Sequence, residues 1–242
     1  MPEPIIILGT GGNCIDILDA IQEINARAPQ PLFTCLGFLD DQASLWGTQV
    51  QGLPVLGGLN AAARYPDSRF VNGIGSTRTY AKKLEIIAST GLPPERFAAI
   101  IHPSASVSRM AAVGRGLVIL QQVTVASNAR LGDHVMVLPN SVISHDDRIG
   151  EGSILAGGVC VSGGVEIGAC CYLGSNSSVR EHCKIGDRSL VGMGSVVLKD
   201  IEADSVVVGN PARLLRKRSS SPSPAPDPQP PAPSPAGAGE GG

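Results

Sequence analysis

The sequence predicts an α/β domain followed by a parallel β-helix of six-residue repeats and then a disordered C-terminal tail. Three observations carry this reading. Short apolar runs alternate with glycine turns and helix-period segments up to about residue 100; every sixth residue from Val107 to Val197 is Val, Ile or Leu; and from Ser219 to Gly242 only Ser, Pro, Ala, Gly, Asp, Gln and Glu occur. The chain therefore divides into residues 1–100, 101–218 and 219–242. Only 3% of the 242 residues are aromatic while 30 are Gly, and Tyr172 is the one Phe, Tyr or Trp beyond Phe97. The second part must pack aliphatic side chains into small, repeated spaces.

In the first part, Ile5 to Leu8 reads as a strand ending in Gly9-Thr10-Gly11-Gly12, after which Ile15, Leu18, Ile21 and Ile24 recur near helical spacing. Pro29 and Pro31 close the helix. Leu32 to Leu39 reads as a second strand with Asp40-Asp41 at its end, and Leu53 to Gly58 as a short third strand leading into an Ala-rich helix around Asn60 to Arg64. Phe70 to Ile74 gives a fourth strand ending in Gly75-Ser76, before a helix from about Thr79 to Ser89. Such β-α-β alternation builds a small parallel sheet with helices on its faces.

Six residues are too few for a helical repeat and fit a short strand plus a corner. Three such units make a triangular coil of 18 residues that pairs with the next coil at ~4.8 Å, and residues 107 to 202 supply about five coils. The position two before each aliphatic is mostly small or medium, as at Ala129, Ser141, Ser153, Val159, Cys171, Ser177, Cys183, Ser189 and Ser195. Each face of the prism thus turns one aliphatic and one small residue inward. The tail, with eight prolines in 24 residues, has too little apolar surface to offset its ordering entropy.

Nineteen basic against 21 acidic residues leave a net charge of −2, which provides no electrostatic footprint for nucleic acid or an anionic membrane. No apolar run nears the ~20 residues of a membrane span, and Met1-Pro2-Glu3-Pro4 lacks the basic start of a signal peptide. The expectation is a soluble, cytoplasmic protein with no nucleic-acid partner and no membrane insertion. The cysteines, Cys14, Cys35, Cys160, Cys170, Cys171 and Cys183, form no C-x-x-C pair. Several stand where the repeat asks for a small apolar residue, so they read as buried free thiols.

The hexapeptide pattern resembles that of the left-handed β-helix acyltransferases, and the closing stretch from Val206 to Arg213 is similar to the end of many of these enzymes. The left hand is implied by this resemblance alone, since the general rule for parallel crossovers points the other way. More narrowly, the glycine-turn domain, Phe38-Leu39-Asp40-Asp41, His102-Pro103-Ser104-Ala105 and Ser144-His145-Asp146 together resemble the NeuD/PglD-type sugar acetyltransferases over nearly all of residues 4–218. The resemblance implies a Rossmann-like N-terminal domain that holds a sugar or nucleotide-sugar acceptor. It also implies a homotrimer, with acetyl-CoA as co-substrate bound between neighbouring prisms.

His145 lies two positions after Ile143, at a corner where the side chain points outward, and Asp146 follows it. A hydroxyl or ammonium acceptor must lose a proton; imidazole titrates near neutrality, and an adjacent carboxylate orients the ring. The match of Ser144-His145-Asp146 to the family's catalytic histidine and acidic neighbour implies that His145 is the general base and Asp146 its partner. Acyl transfer would then be direct, with backbone amides stabilising the oxyanion. By the same resemblance Gly11, Gly12, Asn13, Asp40, Asp41 and Gly75 line the acceptor pocket, and Ile154, Ser175 and Met193 border CoA. Ile154 stands where the best-known members carry a second histidine near the acetyl group, and Asn13 where members often have His.

Other readings remain open for some of these residues. Asp40 and Asp41 equally suit caps of the turn after their strand, and Arg213, Arg216, Lys217 and Arg218 are either contacts for CoA phosphates or solvated charges. Gly9 to Cys14 lacks the third glycine of G-x-G-x-x-G, which argues against NAD. Two further classes share a β-helix. One is a non-catalytic nucleotide-sugar binding protein; the other is the γ-type carbonic anhydrase, which needs three histidines on one zinc. The candidates here are His102, His134, His145 and His182, and the last two lie ~10 Å apart along the prism, too far to share an ion. No metal is expected.

Overall fold

The structure, a computed structural model, describes residues 1–218; the tail predicted to be disordered, 219–242, lies outside the described residues. In chain order the first part comprises β1 (Glu3–Leu8), α1 (Gly12–Arg27), β2 (Phe33–Leu39), a hairpin of β3 (Gln49–Val50) and β4 (Leu53–Pro54), β5 (Arg69–Asn72) and α2 (Lys83–Ala88). β2, β1 and β5 form a parallel sheet in that order. The central β1 is buried from Ile5 to Leu8, the unbroken apolar run that a strand covered on both faces requires. α1 lays Cys14, Ile17, Leu18, Ala20 and Ile21 into the core.

The expected third strand, Leu53 to Gly58, meets the sheet only through its middle, where Val55 bridges to Phe38 in parallel, Leu56 N donates to Phe38 O at 2.8 Å and Gly57 O accepts from Asp40 N at 2.8 Å. Leu53–Pro54 turns back on Gln49–Val50 through Gln51 and Gly52, both at positive φ. Pro54 has no N–H to give a ladder, which keeps the segment at an edge. The helix expected around residues 60–64 is a 3-10 segment, Leu59–Arg64, and the one expected over 79–89 divides into a 3-10 turn, Tyr80–Lys82, and α2.

From Ile100 the chain winds into a parallel β-helix with three faces of stacked two-residue strands. It begins one strand before the repeat read from Val107, because Ile100–Ile101 already pairs with Val118–Ile119. Every sixth residue from Gly116 to Gly194 has positive φ and makes a corner. Gly, Asn, Asp and His, which tolerate that conformation best, hold most of these positions, among them Asn128, His134, Asp146, Gly164 and His182. Inward aliphatics such as Ile143, Leu155 and Val161 and the small residues beside them fill one continuous core. Each buried aliphatic of this kind contributes ~1.5–3 kcal/mol. Inward serines bridge coils: Ser141 Oγ donates to Ala156 O at 2.9 Å and accepts from Val159 N at 3.2 Å, and Ser153 does the same to Gly168 O and Cys171 N.

The residue just before each inward aliphatic points outward, and its type differs by face. On the first face Val118, Met136, Ile154, Tyr172 and Leu190 are apolar because the α/β part packs on them. The second face presents Ser106, Thr124, Val142, Cys160, Ser178 and Val196, all uncharged. The third presents Ala112, Arg130, Arg148, Glu166 and Lys184. At the junction with the first face, Lys83 is buried and its Nζ donates to His134 O at 2.7 Å, while Phe97 meets the His134 ring edge-on at 4.7 Å. The Tyr80 and Tyr172 rings lie 5.8 Å apart.

Candidate active site

One group of expected site residues converges at the C-terminal end of the small sheet. Gly11, Gly12, Asn13, Asp40 and Gly75 line a cavity of about 350 Å³ together with Thr10, Ile74, Ser76 and Thr79. α1 starts at this cavity with no side chain capping its N-terminus; Cys14 N donates to Gly11 O at 2.8 Å, and the N–H groups of Gly12 and Asn13 are left to meet polar or anionic atoms. Asn13 Nδ2 donates to Gly75 O at 2.8 Å, which ties the two glycine loops together, and Thr10 Oγ1 donates to Asp40 Oδ2 at 2.7 Å. Asp41 is not among the lining residues: its Oδ1 accepts from Leu59 N at 2.8 Å at the head of the 3-10 segment. Ile154, fully buried, underlies this cavity, since a Cβ on Gly75 would stand 2.5 Å from Ile154 Cδ1.

The second group sits at the corner between the second and third faces of the prism. Asp146 is the corner residue itself, at φ 63°, and the bend turns both His145 and Asp146 into solvent. His145 Nδ1 lies 2.8 Å from Asp146 Oδ2, and Asn128 Nδ2, one coil earlier, donates to Asp146 Oδ1 at 3.1 Å. These two hydrogen bonds, the histidine's first, hold the Asp146 carboxyl below its usual range. The imidazole lies over Gly163, one coil later, where a Cβ would be 2.6 Å from Cε1 and 2.7 Å from Nε2. Behind the pair, Asp147 is fully buried, and that burial pushes its carboxyl up to about 7 against the opposing pull of hydrogen bonds from Val165 N and Ser144 N. Beside the pair, Met110, Ala112, Asn128, Arg130, Asp146 and Arg148 line a cleft of about 440 Å³.

Ser175 and Met193 form a third group, at the corner between the first and second faces. They stack on successive coils, with Gly194 N donating to Ser175 O at 2.9 Å, and Met193 is 80% exposed. Within one copy of the chain these three groups therefore stand at separate places on the prism. Of the terminal cations, Lys217 Nζ contacts Glu202 Oε2 at 2.6 Å and the Arg218 guanidinium stacks on Tyr80 at 4.9 Å. All six cysteines are free; burial pushes Cys14 and Cys171 up to about 12, whereas Cys160, on an outward position, is exposed. Among the described residues no three His, Cys, Asp or Glu side chains converge, and no helix is long and apolar enough to cross a membrane.

Two family models match the chain: the PglD N-terminal domain over residues 4–87 and the bacterial transferase hexapeptide (six repeats) over residues 164–199. PerB from Caulobacter crescentus, solved in complex with CoA and GDP-perosamine, aligns at 26% identity and a TM-score of 0.75, covering 87% of this chain and 96% of its own. The acetyltransferase domain of PglB from Neisseria gonorrhoeae, in complex with acetyl coenzyme A, aligns at 25% identity and a TM-score of 0.76, covering 89% and 100%. WeeI from Acinetobacter baumannii aligns at 25% identity and a TM-score of 0.73, covering 87% and 99%. The chain thus matches a PglD N-terminal domain and a hexapeptide transferase segment, and it is similar to these CoA-binding and sugar-acetylating structures over most of its length. No curated protein matches it.

For an acyltransferase of this type, four residues absent from the sequence expectations stand at the histidine corner: Asn128, Asp147, Gly163 and Arg148. Gly163 and Asn128 were accessible in principle. Stepping one coil of 18 residues from His145 and Asp146 lands on them, because register in this fold is fixed by the repeat.

Proposed function

We propose that the protein transfers an acetyl group from acetyl-CoA to an amino or hydroxyl group of a sugar or nucleotide-linked sugar, with His145 as general base. The observation that carries this reading is the His145–Asp146 pair. With Nδ1–H donated to the Asp146 carboxylate, the lone pair rests on Nε2, over Gly163 and open to an incoming substrate. The proton of an attacking hydroxyl or neutral amine passes to Nε2 as its oxygen or nitrogen bonds to the thioester carbon. The C–S bond then breaks, and the departing thiolate takes the proton back from the imidazolium. Gly163 N makes no hydrogen bond among the described residues, which leaves a backbone donor beside Nε2 for the oxyanion. A thiol nucleophile has little support, since burial holds Cys14 and Cys171 far from the thiolate form.

In this reading residues 1–100 hold the acceptor in the cavity of Gly11, Gly12, Asn13, Asp40 and Gly75, and residues 101–218 carry the transfer. Ile154, buried beneath Gly75, offers the acyl end no polar group in place of an imidazole, and Ser175 and Met193 flank the pantetheine arm. The cavity and the histidine corner belong to different edges of one prism, so a complete site needs His145 from a neighbouring copy. The second face, uncharged from Ser106 to Val196, suits packing between copies in a homotrimer. PerB, with both CoA and GDP-perosamine bound, supports a nucleotide-linked acceptor.

Arg130 and Arg148 favour the same class of acceptor. They are register partners on adjacent coils, line the cleft beside Asp146, and their guanidinium groups have no ion pair or hydrogen bond among the described residues. Like charges directly opposed on a ladder destabilise it, and a phosphate group offsets that repulsion. The test is His145→Ala: loss of at least ~10²-fold in turnover is expected, with assembly and CoA binding retained. Undiminished turnover would overturn the assignment.

A further inference from the structure

We propose that Asp147, which lies inside the prism, is a positioning residue for acyl transfer, because its carboxylate ties the turn that carries His145 to the corner that carries Gly163. The proposal rests on the reading of His145 as the base. Every other inward position two before a repeat aliphatic, from Ala105 to Ser195, holds an apolar residue, Cys or Ser; Asp147 alone carries a carboxyl. It is fully buried. Burying a carboxyl there is costly where Ala, Val or Ser would fill the space, so the fold alone gives no reason for it.

The two oxygens of Asp147 serve different strands of the site. Oδ2 accepts from Ser144 N at 2.8 Å, in the residue immediately before His145, and Oδ1 accepts from Val165 N at 2.8 Å, immediately after Gly163-Gly164. A serine at an inward position does only half of this: Ser141 and Ser153 receive the N–H of the next coil, and neither holds the turn before it. The second contact visibly competes with the β-ladder. Ser144 N to Val161 O is 3.2 Å, whereas the equivalent bonds at Leu138, Gly150, Ala156 and Ser162 are 2.7–3.0 Å. The Ser144 N–H is thus shared between the coil stack and the carboxylate. One rigid, planar group sets the distance between the base and the wall over which it lies, where tolerance is ~0.5 Å.

The experiment compares Asp147→Ser and Asp147→Asn with the native enzyme by thiol-release kinetics, thermal melting and amide hydrogen exchange. Ser fits the site as it does at 141 and 153, so the variant is expected to fold and assemble. Its kcat is expected to fall about tenfold while KM for both substrates stays within twofold, and exchange at Ser144 is expected to quicken at least tenfold. Asn keeps one accepting oxygen but turns an amide N–H toward the other donor, so it should not restore kcat. Values of kcat within twofold of native in both variants, or unchanged exchange at Ser144, would overturn the proposal. So would a fall in kcat matched by loss of assembly and by parallel rises in both KM values. His145→Ala run alongside separates the two readings: if it keeps full turnover the base assignment fails, whereas exchange at Ser144 reports on the tie itself.

Discussion

Replacing Gly163 by Ala tests the pose of the imidazole without touching a polar atom. The added Cβ would lie 2.6 Å from His145 Cε1 and 2.7 Å from Nε2, against ~3.5 Å for an ordinary contact. The ring must therefore retreat by about 1 Å, and a misplacement of that size costs on the order of 10²-fold in rate. Gly163 does not adopt a left-handed φ, so Ala takes its backbone without strain and stability should be unchanged or higher by ~0.4–1 kcal/mol. Thiol-release kinetics and a thermal melt on the same preparation give both quantities. If kcat stays within threefold of native, the pose over Gly163 is not the working one. The mechanism also requires that Gly163→Ala cost nothing further in a His145→Ala background, because its effect passes through the ring; an equal loss there would refute it.

The other predictions concern charge. Arg130→Ala and Arg148→Ala should each raise KM for a nucleotide-linked acceptor by about tenfold, worth ~1.4 kcal/mol apiece, and leave a free amino sugar unaffected; a rise in KM for acetyl-CoA instead would move the arginines to the donor. Burial brings Lys83 down to about 7 from 10.5, so between those values the unfolded chain binds a proton that the folded chain does not, and stability should rise with pH across that window. Lys83→Met should flatten the slope between pH 7 and 10 in urea denaturation; an unaltered slope would contradict the assignment. Burial first, and Lys83 second, bring His134 down to about 4 from 6.5, so stability should fall as pH drops from 6.5 toward 4, and His134→Gln should lessen the fall.

What could be read in the sequence follows from how local its cause is. The prism was legible because its interior imposes one aliphatic and one small residue on each hexapeptide, and Ile101, one step before Val107, extends the same register. The strand expected over Leu53 to Gly58 reaches the sheet only through Val55 to Gly57, since apolar content alone does not show that Leu53–Pro54 turns back on Gln49–Val50. Cys160 shows a related limit: it sits one position away from the inward site, where the same residue type is exposed and not buried.

The site divides along the same line. His145 and Asp146 could be placed on an outward corner from spacing, and the glycine loops from their position after strands. The ligand roles expected of Ile154, Ser175 and Met193 came only through resemblance. Asp41 shows the ambiguity of carboxylates after a strand, since its oxygen caps the Leu59 turn while Asp40, one residue earlier, faces the cavity. Asp147 was passed over because its partners, Ser144 N and Val165 N, are backbone groups brought together only by coil stacking. The outward residues of the three faces did contain the arrangement of the molecule. Reading every third outward position separates an apolar face, an uncharged face and a charged face.

The most direct test of acyl transfer is release of free CoA from acetyl-CoA by the native protein in the presence of nucleotide-linked amino sugars, sialic acids and free sugars, with His145→Ala as control. Turnover is expected with at least one sugar acceptor, in an amount equal to the acetylated product, and is expected to vanish in the variant. Binding of the same sugars without release of CoA would contradict the account and leave a ligand-binding β-helix in its place.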